Sequence, residues 1–200
     1  MSFHQNTTGT MNYPAHGTLN RLLFQIPAIW WRMGMGPIQG RWQLVLTTWG
    51  RRSRLPRHTM LSRAALGDKS YVISGWNQRA DWYQNLSHDP RVTVQTDRNT
   101  YHARARRVTE LEEYTQVMRL LLEGGGDSHF KPWLESLGIQ LEIDDIVAKR
   151  ERVYLMALDP SDEAGHPPPM AVDLKWVWGA MALSFVSGWL LRGWARKSSQ

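Results

Sequence analysis

Short β-strand segments separated by turns constrain the fold of this chain more than any other feature. Such segments, rich in apolar and β-branched residues, occupy 41–48, 58–64, 70–74, 91–96, 101–108 and 153–158. Helices are predicted at 81–88, at 110–122 with Thr109 as N-cap, at 130–137 and at 144–150. Six short strands with interspersed helices predict an α+β domain whose sheet forms a barrel or a sandwich.

Composition places the chain among ordinary globular proteins. Of its 200 residues, 42% are hydrophobic and 21% are charged, which is enough apolar material for a core. There is no cysteine, so disulfides, thiolate metal sites and cysteine nucleophiles are excluded. The polar residues 1–18 lack the charged start and apolar run of a secretory signal. We expect them to form a disordered tail, and we expect a cytoplasmic protein.

Charge is distributed unevenly along the chain. Eight arginines and no acidic residue precede Asp68, although the net charge of the whole chain is only +6. The positive electrostatic field of this part of the chain can attract nucleic acid, an anionic membrane surface or a small polyanionic cofactor. The alternative interpretation is a basic face that is merely solvated. Nucleic-acid binding requires arginines along a helix or aromatic residues on a sheet, whereas here the arginines cluster in one turn. We therefore expect no nucleic-acid partner.

Residues 47–57, Thr-Thr-Trp-Gly-Arg-Arg-Ser-Arg-Leu-Pro-Arg, place that cluster directly behind an apolar strand. Gly50 permits close approach to the backbone, while Thr48 and Ser53 add hydroxyl groups. Guanidinium groups bind phosphate or carboxylate oxygens in pairs. This arginine turn, residues 50–57, therefore predicts a site for a phosphorylated cofactor, with Arg51, Arg52 and Arg57 supplying the charge.

A second group of candidate residues follows the strand at 70–74. Ser74 and Gly75 end this strand, and a helix with Trp82, Tyr83 and Asn85 begins soon afterwards. A flat ligand can approach backbone amides at such a strand end, and the helix N-terminus favours negative charge. Aromatic side chains, among them Trp76, could then enclose a ring system, although Trp82 and Leu86 can equally pack the helix against the sheet.

Four ordered blocks resemble the deazaflavin-dependent nitroreductase and quinone reductase family, relatives of the split-barrel flavin-binding oxidoreductases. The blocks are 47–57, Ser74-Gly75, the Trp-Tyr-Gln-Asn-Leu helix at 82–86, and Asp-Pro-Arg-Val-Thr-Val at 89–94. The resemblance spans about 19–160. It implies an FMN-binding-like split β-barrel with flanking helices, including an amphipathic helix over 19–34 that is bent or restarted at Pro27.

The resemblance also implies the cofactor, coenzyme F-420, and the residues around it. Its phosphate and polyglutamate tail would lie on Arg51, Arg52, Ser53 and Arg57. Its ribityl chain would lie beside Thr59, Met60 and Leu61, and its deazaflavin ring beside Ser74, Gly75 and Trp76. The helix with Trp82, Tyr83 and Asn85 would close the site, and relatives are often homodimers.

Two positions depart from the family pattern, and the substrate pocket is not recognisable. Arg54 replaces the usual glycine, and Trp76-Asn77 stands where many relatives have a glycine pair. The only candidates for the tyrosines that relatives carry over the substrate are Phe130, Trp133 and Tyr154. The substrate therefore stays open among quinones, nitro compounds and activated alkenes.

Such an enzyme needs no protein nucleophile, because the reduced deazaflavin donates a hydride while the protein binds, orients and excludes water. The sequence agrees, since it contains no hydrolase, metalloprotease or P-loop motif and its seven histidines lack ligand spacing. No metal is expected. Ser74 is the one weak candidate for a catalytic contact with substrate or ring.

The last forty residues differ in composition from the rest of the chain. Residues 161–172 are rich in proline and predict a linker that forms no core, so the folded domain is expected to end at 160. An apolar helix is predicted over 173–195, with sixteen uncharged residues at 176–191 between Lys175 and Arg192. Tryptophans near its ends favour a membrane interface, although sixteen helical residues cover only about 24 Å. Burial on a partner subunit or on the domain itself is the alternative.

The sequence is therefore consistent with three functions. The first is an F-420-dependent oxidoreductase acting on a small-molecule hydride acceptor. The second keeps the barrel but binds FMN or haem. The third is a membrane-tethered module that binds a cofactor without catalysis.

Overall fold

The computed structural model describes residues 26–123 and 127–185. The predicted tail at 1–18, the first part of the 19–34 helix and the last part of the 173–195 helix lie outside these ranges. The boundaries of the predicted domains as a whole therefore stay predictions.

Seven antiparallel strands form one curled sheet. They are β1 Gln43–Trp49, β2 Pro56–Ser62, β3 Ala64–Leu66, β4 Lys69–Ser74, β5 Arg91–Gln95, β6 Thr100–Arg107 and β7 Tyr154–Pro160. Their order across the sheet is β2-β1-β5-β6-β7-β4-β3, so β2 and β3 are the edge strands. The curl brings β2 into contact with β4. The predicted split barrel is thus confirmed.

The predicted strand at 58–64 is two strands in the structure. Pro56 begins β2, which an edge strand permits because no neighbour needs its missing N–H group. The chain then breaks at Arg63, whose backbone N–H group bonds to Trp42 O at 3.0 Å and whose side chain pairs with Asp97 at 3.0 Å. Only after this break does the chain form β3.

Helices cover both faces of the sheet. They are α1 Ile26–Trp30, α2 Gly36–Gln39, α3 Asp81–His88, α4 Leu111–Glu123, α5 Asp127–Ser136, α6 Ile143–Ala148 and α7 at residues 176–185. Helix α3 packs Trp82 and Leu86 on one apolar core with Leu46 and Val92. Helices α4 to α6 pack on a second core that includes Met118.

Glu110 caps α4, and the prediction of Thr109 was wrong. The Glu110 carboxylate accepts the backbone N–H groups of Glu112 at 3.0 Å and Glu113 at 2.7 Å. These N–H groups have no partner within the helix, and a carboxylate at the helix start also interacts favourably with the helix dipole.

The amino-terminal helical segment is interrupted at Gly34, whereas a bend or restart at Pro27 stays a prediction because the residues before Ile26 lie outside the described ranges. Residues 26–30 are α-helical through Pro27, and a π-helical turn, Trp31–Met35, links α1 to α2. Gly34 has a φ of 94° there, which favours glycine over every other residue. Trp31 is buried in the segment, while Ile26, Ile29 and Trp30 stay exposed.

The proline-rich segment packs on the sheet, contrary to the prediction that it contributes no core. We call residues 163–174 the C-terminal strap. His166 and Pro167 bond to β5 through Val92 O, at 2.9 Å, and the Thr93 hydroxyl. Gln95 holds Met170 by two bonds, donating to its carbonyl at 3.1 Å and accepting its N–H at 2.7 Å. The Met170 side chain is 5% exposed.

Helix α7 presents apolar side chains to solvent along its described length. Trp176, Met181, Leu183 and Phe185 are between 57% and 79% exposed. Among the helices that the structure describes, none combines the length and the apolar character needed to span a bilayer.

Candidate functional site

A cleft of about 840 Å³ lies along the edge strand β2. Eleven of the predicted cofactor residues line it: Gly50, Arg51, Arg52, Ser53, Arg57, Thr59, Met60, Leu61, Trp76, Trp82 and Asn85. Sequence reasoning missed others that line it, among them Ala28, Ile29, Arg32, His58, Asp81 and Met170. The cleft is large enough for a cofactor-sized ligand.

Strand β2 divides this cleft into two compartments, because successive side chains of a strand point to opposite faces. Leu61 packs on the core that holds α3, whereas Met60 packs with Trp31 and Met170. We call the side with Arg57, Thr59, Leu61, Trp76, Trp82 and Asn85 the inner compartment. We call the side with Ala28, Ile29, Arg32, His58, Met60 and Met170 the outer compartment.

The arginine turn is a tight loop between β1 and β2. Gly50 donates to Leu55 O at 2.9 Å and accepts from Arg54 N at 2.8 Å. A Cβ atom on Gly50 would stand 2.6 Å from Ser53 Oγ and 3.2 Å from Leu55 O. The Ser53 hydroxyl can rotate away, but the Leu55 carbonyl leaves little room for a side chain, so glycine is favoured at this position.

Both departures from the family pattern fall on residues with positive φ. Arg54 has a φ of 55° and Asn77 a φ of 52°. Glycine adopts this conformation without strain and asparagine tolerates it, whereas a long side chain costs about 1 kcal/mol or more. Glycine would adopt these two backbone conformations with less strain than the residues present, above all at Arg54.

Arg51 and Asn85 join the turn to α3. Asn85 Oδ1 accepts from the Arg51 backbone N–H at 3.1 Å and from its guanidinium at 3.2 Å, while Asn85 Nδ2 donates to Thr48 Oγ1 at 3.1 Å. Arg51 also pairs with Asp81 at 3.1 Å. Asn85 is 4% exposed and Thr48 is fully buried. These residues therefore fix the turn on the helix, and Thr48 does not line the cleft.

Arg52 and Arg57 are the cations that the turn leaves available. Neither has a carboxylate at ion-pair distance among residues 26–123 and 127–185, and Arg57 bonds only weakly, to Ser53 Oγ at 3.2 Å. Uncompensated guanidinium groups at the mouth of a cleft attract phosphate and carboxylate groups. The donor set thus fits an anionic cofactor.

Aromatic rings form the wall of the inner compartment. Trp76 and Trp82 line the cleft, and Trp82 is largely buried. Tyr83 instead stacks edge-on against Trp82 at 6.2 Å and against Tyr154 at 5.2 Å, so that it supports the wall from outside the cleft.

Ser74 and Gly75 are not among the residues that line the cleft, and their contact with the ring stays a prediction. The Ser74 hydroxyl is fully buried and donates to Asn77 O at 2.7 Å, where it holds the turn after β4. Its position does not support a catalytic contact. Gly75 lines a separate cavity, and its carbonyl accepts from Trp133 Nε1 at 2.9 Å.

This second cavity, of about 230 Å³, is largely apolar. It contains two of the three substrate-pocket candidates, Phe130 and Trp133, together with Tyr71. Burial, with the hydrogen bond to Glu113 at 2.8 Å, raises the pKa of Tyr71 to about 12, so its hydroxyl stays protonated. Tyr154, the third candidate, lies outside this cavity beneath the Arg107 guanidinium, 4.2 Å from it.

The outer compartment contains one ion pair and one histidine. Arg32 donates two bonds to Asp173, at 2.8 and 2.7 Å, which lowers the pKa of that carboxyl. His58 Nδ1 lies 3.0 Å from Thr47 Oγ1. Burial and the nearby charge of Arg32 lower the pKa of His58, which keeps the ring neutral near pH 7.

The part of the chain that the structure describes has no cluster of His, Asp and Glu that could bind a metal ion.

The curled sheet and its edge cleft define a split β-barrel of the flavin-binding type. Residues 32–125 match the model of the F-420H(2)-dependent quinone reductase family, and over this segment the chain is similar to that family. The family resemblance read from the four blocks is thereby confirmed, and the chain is an oxidoreductase.

Solved structures with the same fold share little sequence with this chain. The F-420-H2 dependent reductase FDR-A is 19% identical over 60% of this chain and 95% of its own, with a TM-score of 0.46. The haem storage protein HutZ from Vibrio cholerae is 18% identical over 68% and 90%, with a TM-score of 0.44. A haem-binding protein from Mycobacterium smegmatis is 13% identical over 70% and 59%, with a TM-score of 0.41. No curated protein matches the chain.

Proposed function

We propose that this protein uses reduced coenzyme F-420 to reduce a small-molecule acceptor, a quinone, nitro compound or activated alkene. The observation that carries the proposal is the pair of uncompensated cations, Arg52 and Arg57, beside an aromatic wall inside the family segment. A reduced deazaflavin, when bound, supplies a hydride.

The residues of this chain would each contribute binding or orientation. Arg52, Ser53 and Arg57 would hold phosphate and carboxylate groups, and Trp76 and Trp82 would flank the ring system. Asn85 and Arg51 would keep the turn at a fixed distance from the aromatic wall. The aromatic wall of the inner compartment would help to exclude water from the reacting atoms.

The test is a titration of the purified full-length protein with coenzyme F-420, FMN and haem, followed by single-turnover assays with each acceptor class. We expect micromolar affinity for F-420, and an affinity at least about 100-fold lower in the double variant Arg52→Ala, Arg57→Ala, since each of the two charge-assisted bonds contributes about 1.5 kcal/mol or more. The double variant Arg98→Ala, Arg119→Ala is the matched control, because both side chains are exposed and outside the cleft.

The alternatives give different results in the same experiment. Tighter binding of FMN or haem than of F-420 would assign the cleft to those cofactors. Bound reduced coenzyme that no acceptor oxidises would favour a binding module without catalysis. Unchanged F-420 affinity in the Arg52, Arg57 variant would overturn the role of the turn.

We further propose that α7 attaches the protein to a membrane surface. Its exposed apolar side chains follow Lys175, and such a combination favours the interface of an anionic bilayer. The full chain should sediment with vesicles that contain phosphatidylglycerol, and the double variant Leu183→Lys, Phe185→Lys should not. Equal sedimentation of both proteins would contradict the proposal, and a concentration-dependent mass without vesicles would indicate a homodimer instead.

A further inference from the structure

The outer compartment differs in chemistry from the rest of the cleft. Its walls are the side chains of Ala28, Ile29, Met60 and Met170, above the buried ring of Trp31. Its histidine is neutral near pH 7, and its one cation, Arg32, is paired with Asp173. The outer compartment therefore adds little binding free energy for an anionic ligand, whereas an apolar ligand can bind there at little cost in free energy.

Both ends of the described chain build this compartment. Gly34 interrupts the helical hydrogen bonds, and residues near the carboxyl end occupy the freed carbonyls. Leu174 N donates to Arg32 O at 3.0 Å, and Trp178 Nε1 donates to Met33 O at 2.8 Å. Gln95 holds the backbone of Met170 from the other side. The apolar wall is therefore fixed, and it is continuous with the inner compartment around the edge of β2.

From this wall we infer that the outer compartment binds the apolar chain of a lipid-soluble acceptor, such as the isoprenoid chain of a quinone. The inference rests on the proposed function, because the head group of that acceptor must reach the inner compartment. The charged part of the cofactor belongs to the arginine turn, where the cations are uncompensated. The apolar chain then lies across β2 against Ile29, Met60 and Met170.

The exposure of Ile29 shows where the apolar chain of the acceptor would leave the protein. Ile29 lines the compartment and is 44% exposed, and its neighbour Trp30 is 51% exposed. The compartment thus opens toward an apolar surface rather than toward charged residues. A chain longer than the compartment can continue along this surface.

The test compares two quinones, 2-methyl-1,4-naphthoquinone and the same quinone carrying two isoprene units. With saturating reduced F-420, the wild-type protein should have a KM about tenfold lower for the quinone with the chain, because the chain adds apolar burial. In Ile29→Lys this preference should disappear, because the KM for the quinone with the chain should rise to that for the quinone without it. Ile38→Lys is the matched control, since Ile38 is 55% exposed but does not line the cleft.

Equilibrium binding separates the inference from the proposed function. Quenching of tryptophan fluorescence by the chain-bearing quinone, measured without coenzyme, should be about tenfold weaker in Ile29→Lys than in wild type and Ile38→Lys. Ala28→Trp, which fills the compartment without adding charge, should have the same effect. Equal binding in all four proteins would overturn the inference even if the enzyme is active. Absence of turnover with both quinones, together with the predicted binding differences, would instead overturn the proposed function.

Discussion

The two compartments of the cleft share one strand but differ in how their charges are balanced. On the inner side and its turn, Arg52 and Arg57 have no carboxylate at ion-pair distance in the described ranges. On the outer side, Arg32 is held by Asp173 in a two-bond pair, and the remaining wall is apolar. An edge strand with alternating side chains can therefore separate the polar and apolar parts of its ligands.

The compartments also differ in how their rigidity arises. The inner side is braced locally by Asn85, which links β1, the arginine turn and α3 within 37 residues. The outer side is braced by contacts between Arg32 and Asp173, 141 residues apart. Changes to either brace should therefore affect one compartment and spare the other.

The largest effect is expected from Asn85→Ala on the inner side. The change leaves the Thr48 hydroxyl and the Arg51 backbone N–H without their partner, so the free energy of unfolding should fall by about 2–3 kcal/mol. Urea unfolding measures this, and the affinity for F-420 should fall as well. Ser87→Ala, an exposed position on the same helix, should be nearly neutral. A stable Asn85→Ala protein would show that the brace is unimportant.

Met170→Ala should have the next largest effect, on the outer side. Removing this buried side chain should lower the free energy of unfolding by about 2 kcal/mol, because a cavity forms against Trp31 and Val45. Val172→Ala, in the same strap but 41% exposed, is the control. F-420 affinity should stay unchanged in both variants. If Met170→Ala is as stable as Val172→Ala, the strap is not part of the core.

Salt should change the affinity for F-420 by about tenfold and leave the affinity for the chain-bearing quinone unchanged. Raising NaCl from about 50 to 500 mM should weaken F-420 binding to that extent, since exposed arginines are screened. Binding of the chain-bearing quinone should not weaken, because an apolar wall is insensitive to screening. Parallel titrations at both salt concentrations measure the two affinities, and an equal salt response would remove the distinction between the compartments.

The smallest effect concerns the pH dependence contributed by His58. Its pKa is lower in the folded protein than its usual 6.5, so the unfolded chain binds the proton more readily. The contribution of the neutral His58 ring to the free energy of unfolding is therefore fully present above about pH 6.5. It is lost as the pH falls through the folded pKa. Between pH 7 and 5, the free energy of unfolding should fall less in His58→Gln than in wild type, and the difference between the two should be under about 1 kcal/mol. An identical pH profile for both proteins would contradict this assignment.

The sheet and the inner compartment could largely be predicted from the sequence. Residues 47–57 form a continuous segment, and strand alternation with turn chemistry determines where its side chains go. Ser74 is the exception on this side. Its position at a strand end indicated a ligand contact, but the positive φ of Asn77 turns the chain so that the hydroxyl bonds to Asn77 O instead.

The outer compartment could not be predicted, because its contacts join distant parts of the chain. Nothing local in the strap indicates that Met170 meets Trp31 or that Asp173 meets Arg32. The prolines excluded helix and strand correctly, but the absence of regular structure does not prevent packing. One signal was present: Met170 is the first large apolar side chain after Pro167-Pro168-Pro169, and the first acid after Glu163 follows at 173.

The pairing of Arg32 with Asp173 also sets an order of assembly. During synthesis the sheet can close once β7 has emerged, but the outer compartment must wait until the strap has followed it. A nascent chain therefore passes through a stage with a complete arginine turn and only half of its cleft. A ligand of the arginine turn can therefore bind before the outer compartment is complete.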